Sequence, residues 1–154
     1  SWFYLKNKYN FLKSFDLKMS YYYSEYARTN KGKEEFEGKN TVFPLFSYLM
    51  MDYGGQTYWL SISISDFLPE AIDRYYPDFL SLALGVSSHN LKNFNKKQQR
   101  EYYISIDYDL TKLIKSENKT IGTVTEILNL FHYPAPAIKL SPDFKGFLLY
   151  YGQN

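Results

Sequence analysis

The chain has no cysteine. That excludes disulfides, thiolate-held zinc, iron–sulfur clusters and a thiol nucleophile, and it leaves the redox compartment open. There is no apolar run of roughly 18 residues, so no transmembrane helix is expected. The opening SWFYLKNKYN also lacks the basic start and clean apolar middle of a secretory signal. Charge of one sign is scarce: 18 Lys and Arg face 16 Asp and Glu, for a net +2. A nucleic-acid surface calls for a basic stripe with interleaved aromatics. The single basic cluster, NKKQQR at 95–100, reads instead as a solvated loop, and no nucleic-acid partner is expected. P-loop, GxGxxG, HExxH and GxSxG patterns are missing, and no cofactor is expected.

Aromatic residues are abundant. They make up 20% of the 154 residues, with 17 Tyr and 12 Phe. Such a load argues against disorder. It suits pleated sheet, where flat rings pack well, and equally a membrane interface, where a ring with a polar tip sits half wet. The length fits one domain over 1–154, large enough to bury a core without covalent staples.

Period-two patterning dominates the chain. In DYGGQTYWLSISISDFLP, 52–69, Leu60, Ile62 and Ile64 alternate with Ser61, Ser63 and Ser65, and a strand is expected over 57–67. FDLKMSYYYSEYA alternates from Leu17, and FLSLALGVSSHN sets Leu80, Leu82, Leu84 and Val86 against Ser81, Ala83, Gly85 and Ser87. EYYISIDYDL sets Tyr102, Ile104, Ile106 and Tyr108 against Tyr103, Ser105, Asp107 and Asp109. AIKLSP and KGFLLYYG make two more strands around a turn at Pro142-Asp143. Helical spacing of Trp2, Leu5, Tyr9 and Leu12 predicts a short helix at the start, and 120–132 predicts another, ended by Pro134. A single helical turn is expected at 69–77, and an irregular packed segment or short helix after Pro44. The polar, glycine-containing 28–40 reads as a loop. The expected fold is therefore mainly β: an antiparallel curled sheet or small barrel-like domain of about six to eight strands, with one or two packed helices.

Four strands each have an aliphatic or aromatic row on one side and a small or polar row on the other. Two arrangements satisfy this. In a membrane barrel the aliphatic row meets lipid and the polar row lines the lumen. In a soluble sheet the aliphatic row covers a core under the 120–132 helix, and the polar row is wet.

Candidate chemistry is sparse. Ser87 and His89 share a strand face, with Ser88 opposite and Glu101 across the next loop; serine, histidine and carboxylate are the parts of a lipid-modifying hydrolase, provided geometry joins them. Asp107, Asp109 and Asp66 could offer oxygens to a hard cation, but they are too few for one, and no metal site is expected. His132 reads as a helix C-terminal residue. None of Ser61, Ser63 or Ser65 has a catalytic partner in the sequence, so no catalytic residue is assigned.

GQTYWLS at Gly55–Ser61, the strand Phe79–Val86, YISIDYDL at Tyr103–Leu110 and PAPA at Pro134–Ala137 occur in an order that resembles the C-terminal β-rich region of the YfiM-like family of Bacteroidetes envelope lipoproteins. The family's helical N-terminal half has no counterpart here, and VSSHN at 86–90 replaces its glycine-rich turn. The resemblance implies a place at the outer membrane or periplasm of a Gram-negative bacterium. It implies outer-membrane lipid or other envelope proteins as partners, and no activity. A non-enzymatic envelope protein is the expected function, with the Ser87/His89 hydrolase or a soluble module binding a hydrophobic ligand as the alternatives.

Overall fold

The structure, a computed structural model, describes residues 5–6, 8–38, 43–89 and 97–150, without the His89 side chain. Trp2, the 41–42 lead into the Pro44 segment and most of the loop around NKKQQR lie outside those residues.

Six strands follow in chain order: β1 Phe15–Tyr21, β2 Gln56–Ser63, β3 Leu80–His89, β4 Gln99–Tyr108, β5 Ala135–Ser141 and β6 Lys145–Tyr150. They form one antiparallel sheet in the order β1-β2-β3-β4-β5-β6. The sheet curls but does not close. Its β1 edge is touched by a bridge between Met19 and Phe131: the Met19 N–H donates to Leu130 O at 2.9 Å, and the His132 N–H donates to Met19 O at 2.8 Å.

Five α-helices are present among the described residues: α1 Asn30–Glu37, α2 Pro44–Met51, α3 Glu70–Asp73, α4 Leu110–Leu113 and α5 Lys119–Leu128. The expected loop at 28–40 is thus a helix over eight of its residues. Thr29 caps it, its hydroxyl accepting from the Gly32 N–H, while Phe36 anchors it against Tyr48 at 5.2 Å between ring centroids. Local polarity pointed to a loop, and one fully buried ring outweighed it. Ala27, Phe36 and Tyr48 form a small core of their own, and burial followed by the Glu37 hydrogen bond pushes the Tyr48 phenol up to about 12. That phenol therefore stays a hydrogen-bond donor to Glu37 across the ordinary pH range. Two further boundaries move. The strand expected over 57–67 ends at Ser63, where Ser65–Phe67 makes a 3-10 turn, and the helix expected over 120–132 ends at Leu128.

Register makes the two faces explicit. One row crosses five strands as Leu17, Leu60, Leu84, Ile104 and Ile138; the next runs Phe15, Ile62, Leu82 and Ile106; a third runs Met19, Tyr58, Val86 and Tyr102. These rows occupy the outer side and are exposed or half-buried. The aliphatic rows therefore do not lie under the helix expected at 120–132, and the small or polar rows are covered rather than wet. The inner rows are buried: Asp16, Ser61, Ala83, Ser105 and Ala137 in one, Lys18, Trp59, Gly85, Tyr103 and Lys139 in the next, with Asp16 and Lys139 only partly covered.

The small residues of the inner rows have a packing reason. Trp59, Tyr103 and Tyr150 fill the concavity with Ala83 and Ala137, and a Cβ on Gly85 would meet the Trp59 ring at 2.5 Å. Interiors pack at crystal-like density, so a large ring from one strand requires a small residue on its neighbour.

Candidate functional site

The inner face gathers several of the buried polar side chains into one cluster, among them Lys18, Ser105, Asp107, Asn129 and His132. Lys18 enters from β1, and its ammonium pairs with Asp107 Oδ2 at 2.8 Å. It also donates to Tyr108 O at 2.7 Å and to Asn129 Oδ1 at 3.0 Å. Two of the three ammonium protons thus have acceptors, while Asp107 Oδ2 stands close enough for an ion pair but receives no hydrogen bond. The same Asn129 oxygen accepts from the Leu110 N–H at 2.8 Å, which ties the start of α4 to the residue after α5. Taking Lys18 out of water unpaired would be costly; with an ion pair and two hydrogen bonds it can be held in the interior.

His132 is the residue that sequence patterning misplaced. It lies past the end of α5, 5% exposed, stacked on Trp59 with centroids 4.0 Å apart and planes 22° from parallel. Its Nδ1 sits 3.0 Å from Asp107 Oδ1 and its Nε2 3.3 Å from Ser105 Oγ. The Trp59 indole N–H on the other side donates to Ser20 at 2.9 Å. Only the fold brings residues 18, 59, 105, 107 and 132 together; the one sequence signal was that Ser105 and Asp107 share a strand face.

Ser105, His132 and Asp107 follow the order of a hydrolytic triad, so the chemistry needs testing against the geometry. A working serine presents its hydroxyl to substrate while the histidine takes its proton. Ser105 is 3% exposed, and its hydroxyl lies at 2.9 Å from Ile106 O and 3.0 Å from Pro136 O, both nearer than His132. Lys18 holds the far oxygen of Asp107, and Ser61 bonds the same carboxylate. No substrate atom can reach this serine without opening the sheet. The cluster reads as a polar core.

The hydroxyl row has found its partners. Ser61 faces Asp107, while Lys112 of α4 donates to Ser63 at 3.0 Å and to Ser65 at 3.4 Å. Ser87 is buried and shares a hydrogen bond with Tyr150; the His89 side chain lies outside the described residues. Glu101 is bound by Lys139 at 3.1 Å and by the Tyr103 hydroxyl. The three carboxylates considered for a cation are apart in role. Asp107 belongs to the cluster, and Asp109 caps α4, its oxygen accepting from the Thr111 N–H at 3.0 Å. Asp66 lies 3.4 Å from Lys112. Among the described residues no group of three or more His, Asp or Glu could hold a metal.

The outer face carries the opposite chemistry. Its three rows contain no charged side chain. Aromatic rings stand at both ends of the aliphatic band: Phe15, Phe67 and Tyr108 at one, Tyr21, Tyr58 and Tyr102 at the other. The uncharged patch is continuous across five strands. Compared with known proteins, the chain matches no family model, no curated protein and no solved structure.

Proposed function

We propose that this chain is a structural, non-enzymatic component of the Gram-negative cell envelope, its curled sheet set in the outer membrane with the aliphatic rows against lipid. One observation carries the reading: the polarity of the sheet is inverted. Leu17, Leu84 and Ile138 are exposed while Lys18, Asp107 and His132 are buried. Water as the outer solvent favours the reverse, whereas a hydrocarbon exterior favours this arrangement, with polar groups inside and apolar groups outside. Strand length supports it. Ten residues in each of β3 and β4, at about 3.3 Å per residue and tilted by about 40°, span about 25 Å, the height of an outer-membrane apolar band. The aromatic ends correspond to interfacial girdles. The YfiM-like resemblance points to the same compartment.

Membership of a larger assembly follows from the same physics. Unpaired backbone groups are not tolerated in hydrocarbon, so an open sheet there needs further cover along β6 and along the part of β1 that residues 130–132 do not bond. The test is expression of the chain in a Gram-negative host, followed by fractionation. The expected result is an outer-membrane protein that resists carbonate extraction and needs detergent. A monomer that purifies from the soluble fraction without detergent overturns the reading.

A further inference from the structure

We infer that the cavity between β1, α4 and the end of α5 is a binding site for a small zwitterion, one carrying a primary ammonium and an anionic carboxylate or phosphate. The cavity holds about 530 Å³, within the usual range of small-molecule sites. Three cations and three carboxylates line it: Lys6, Lys13 and Lys112 against Asp16, Asp109 and Glu126. Lys6 and Asp16 neutralise each other at 2.6 Å, and Lys112 is spent on Ser63, Ser65 and Asp66. Lys13 and Glu126 are exposed and have no polar partner among the described residues. One free charge of each sign therefore stands over the same cavity.

The cavity floor is unsatisfied as well. Asn129 is 7% exposed and Asp109 6%. Both bonds to the Asn129 side chain fall on Oδ1, from Lys18 and from the Leu110 N–H. That fixes the orientation of the amide and leaves the Nδ2 protons without a partner among the described residues. Both bonds to the Asp109 side chain fall on Oδ1, from the N–H and hydroxyl of Thr111, so Oδ2 is unused. Neither free atom is sealed from the cavity. Buried polar groups are normally satisfied, so an unused donor and an unused acceptor on one floor need an occupant.

The chemistry of that occupant follows from the free groups. Lys13 and Asn129 Nδ2 offer protons to an anionic oxygen group. Glu126 lies three residues before Asn129, hence on the same side of the helix end, and with Asp109 Oδ2 it accepts from an ammonium. A simple anion would meet two uncompensated carboxylates, and a simple cation would leave Lys13 and the amide unused. A hard metal ion wants six to eight oxygens, more than these two carboxylates supply. Leu17 and Leu130, half exposed beside the charges, suit a short apolar tail. A free amino acid and the ethanolamine phosphate headgroup of a lipid both have this chemistry. The inference is independent of which solvent the outer rows meet.

Isothermal titration of the full chain in dodecyl maltoside, with leucine and with phosphoethanolamine, tests the site and separates the two sources. Each probe is compared with its single-charge relatives: isoamylamine and isocaproate for leucine, ethanolamine and inorganic phosphate for phosphoethanolamine. The expected result is that a zwitterion binds with Kd of about 1 mM or below, about tenfold tighter than either of its relatives. Leucine alone assigns a free amino acid, phosphoethanolamine alone a headgroup, and either result or both upholds the site. Lys13→Met and Glu126→Gln remove exposed charges that the fold does not use, and each is expected to weaken the zwitterion about tenfold. Failure of both probes to bind up to about 10 mM means that the floor holds water only, and overturns the inference. Equal binding of the single-charge relatives overturns it as unselective ion exchange. Zwitterion binding that either substitution leaves unchanged overturns it by placing the ligand elsewhere.

Discussion

Asp107 shows what a single residue does in this interior. One of its oxygens forms an ion pair with Lys18 and the other faces His132, and it is fully buried. Removing its charge would strand the ammonium of Lys18 where water cannot replace the lost partner. Asp107→Asn is therefore expected to destabilise the folded chain by about 3–5 kcal/mol, as for other broken buried pairs. Urea unfolding in lipid vesicles, followed by fluorescence, measures it; a loss within error of zero would refute the polar-core account. The effect is larger than that of an exposed ion pair such as Lys112–Asp66, where solvent screens the charges. Little of this was legible in the sequence. That Asp107 shares a strand face with Ser105 followed from alternation, but its partners come from residues 89 positions before it and 25 after it, and period-two patterning carries no information about which strands meet.

At the scale of elements, alternation was the reliable signal and polarity the unreliable one. Four of the six strands were readable because their two faces alternate in chemistry with period two, the period at which a pleated strand shows its faces. The last two were read from the turn between them. Helix α1 was missed because NKGKEEFE has one apolar residue, and a single anchor leaves no stripe to detect. Its stability depends on Phe36 and on the Thr29 cap, so Thr29→Ala should cost about 1 kcal/mol. Hydrogen exchange is expected to quicken at Gly32 and the amides beside it while β3 and β4 keep their protection. Equal loss of protection in the sheet would mean that the cap and the sheet unfold as one unit.

At the scale of the whole molecule, the question is which solvent the outer rows meet. Leu84 lies in the middle of the row that crosses five strands. With lipid outside, Leu84→Arg should destabilise the chain in bilayers by about 2–4 kcal/mol, the cost of a cation near the midplane. With water outside, the same change at a position already 42% exposed should be within about 0.5 kcal/mol of neutral. Unfolding titrations of both proteins in vesicles separate the two outcomes. The sequence by itself determined the strands, their two chemically distinct faces and the antiparallel class, because those properties are local and repeat along the chain. Which face turns inward was decided only by the tertiary structure. Curling the sheet set Trp59, Tyr103 and Tyr150 over small neighbours and brought Lys18, Asp107 and His132 together in the interior. A strand's alternation is symmetric between its two sides, and only packing against other strands breaks that symmetry.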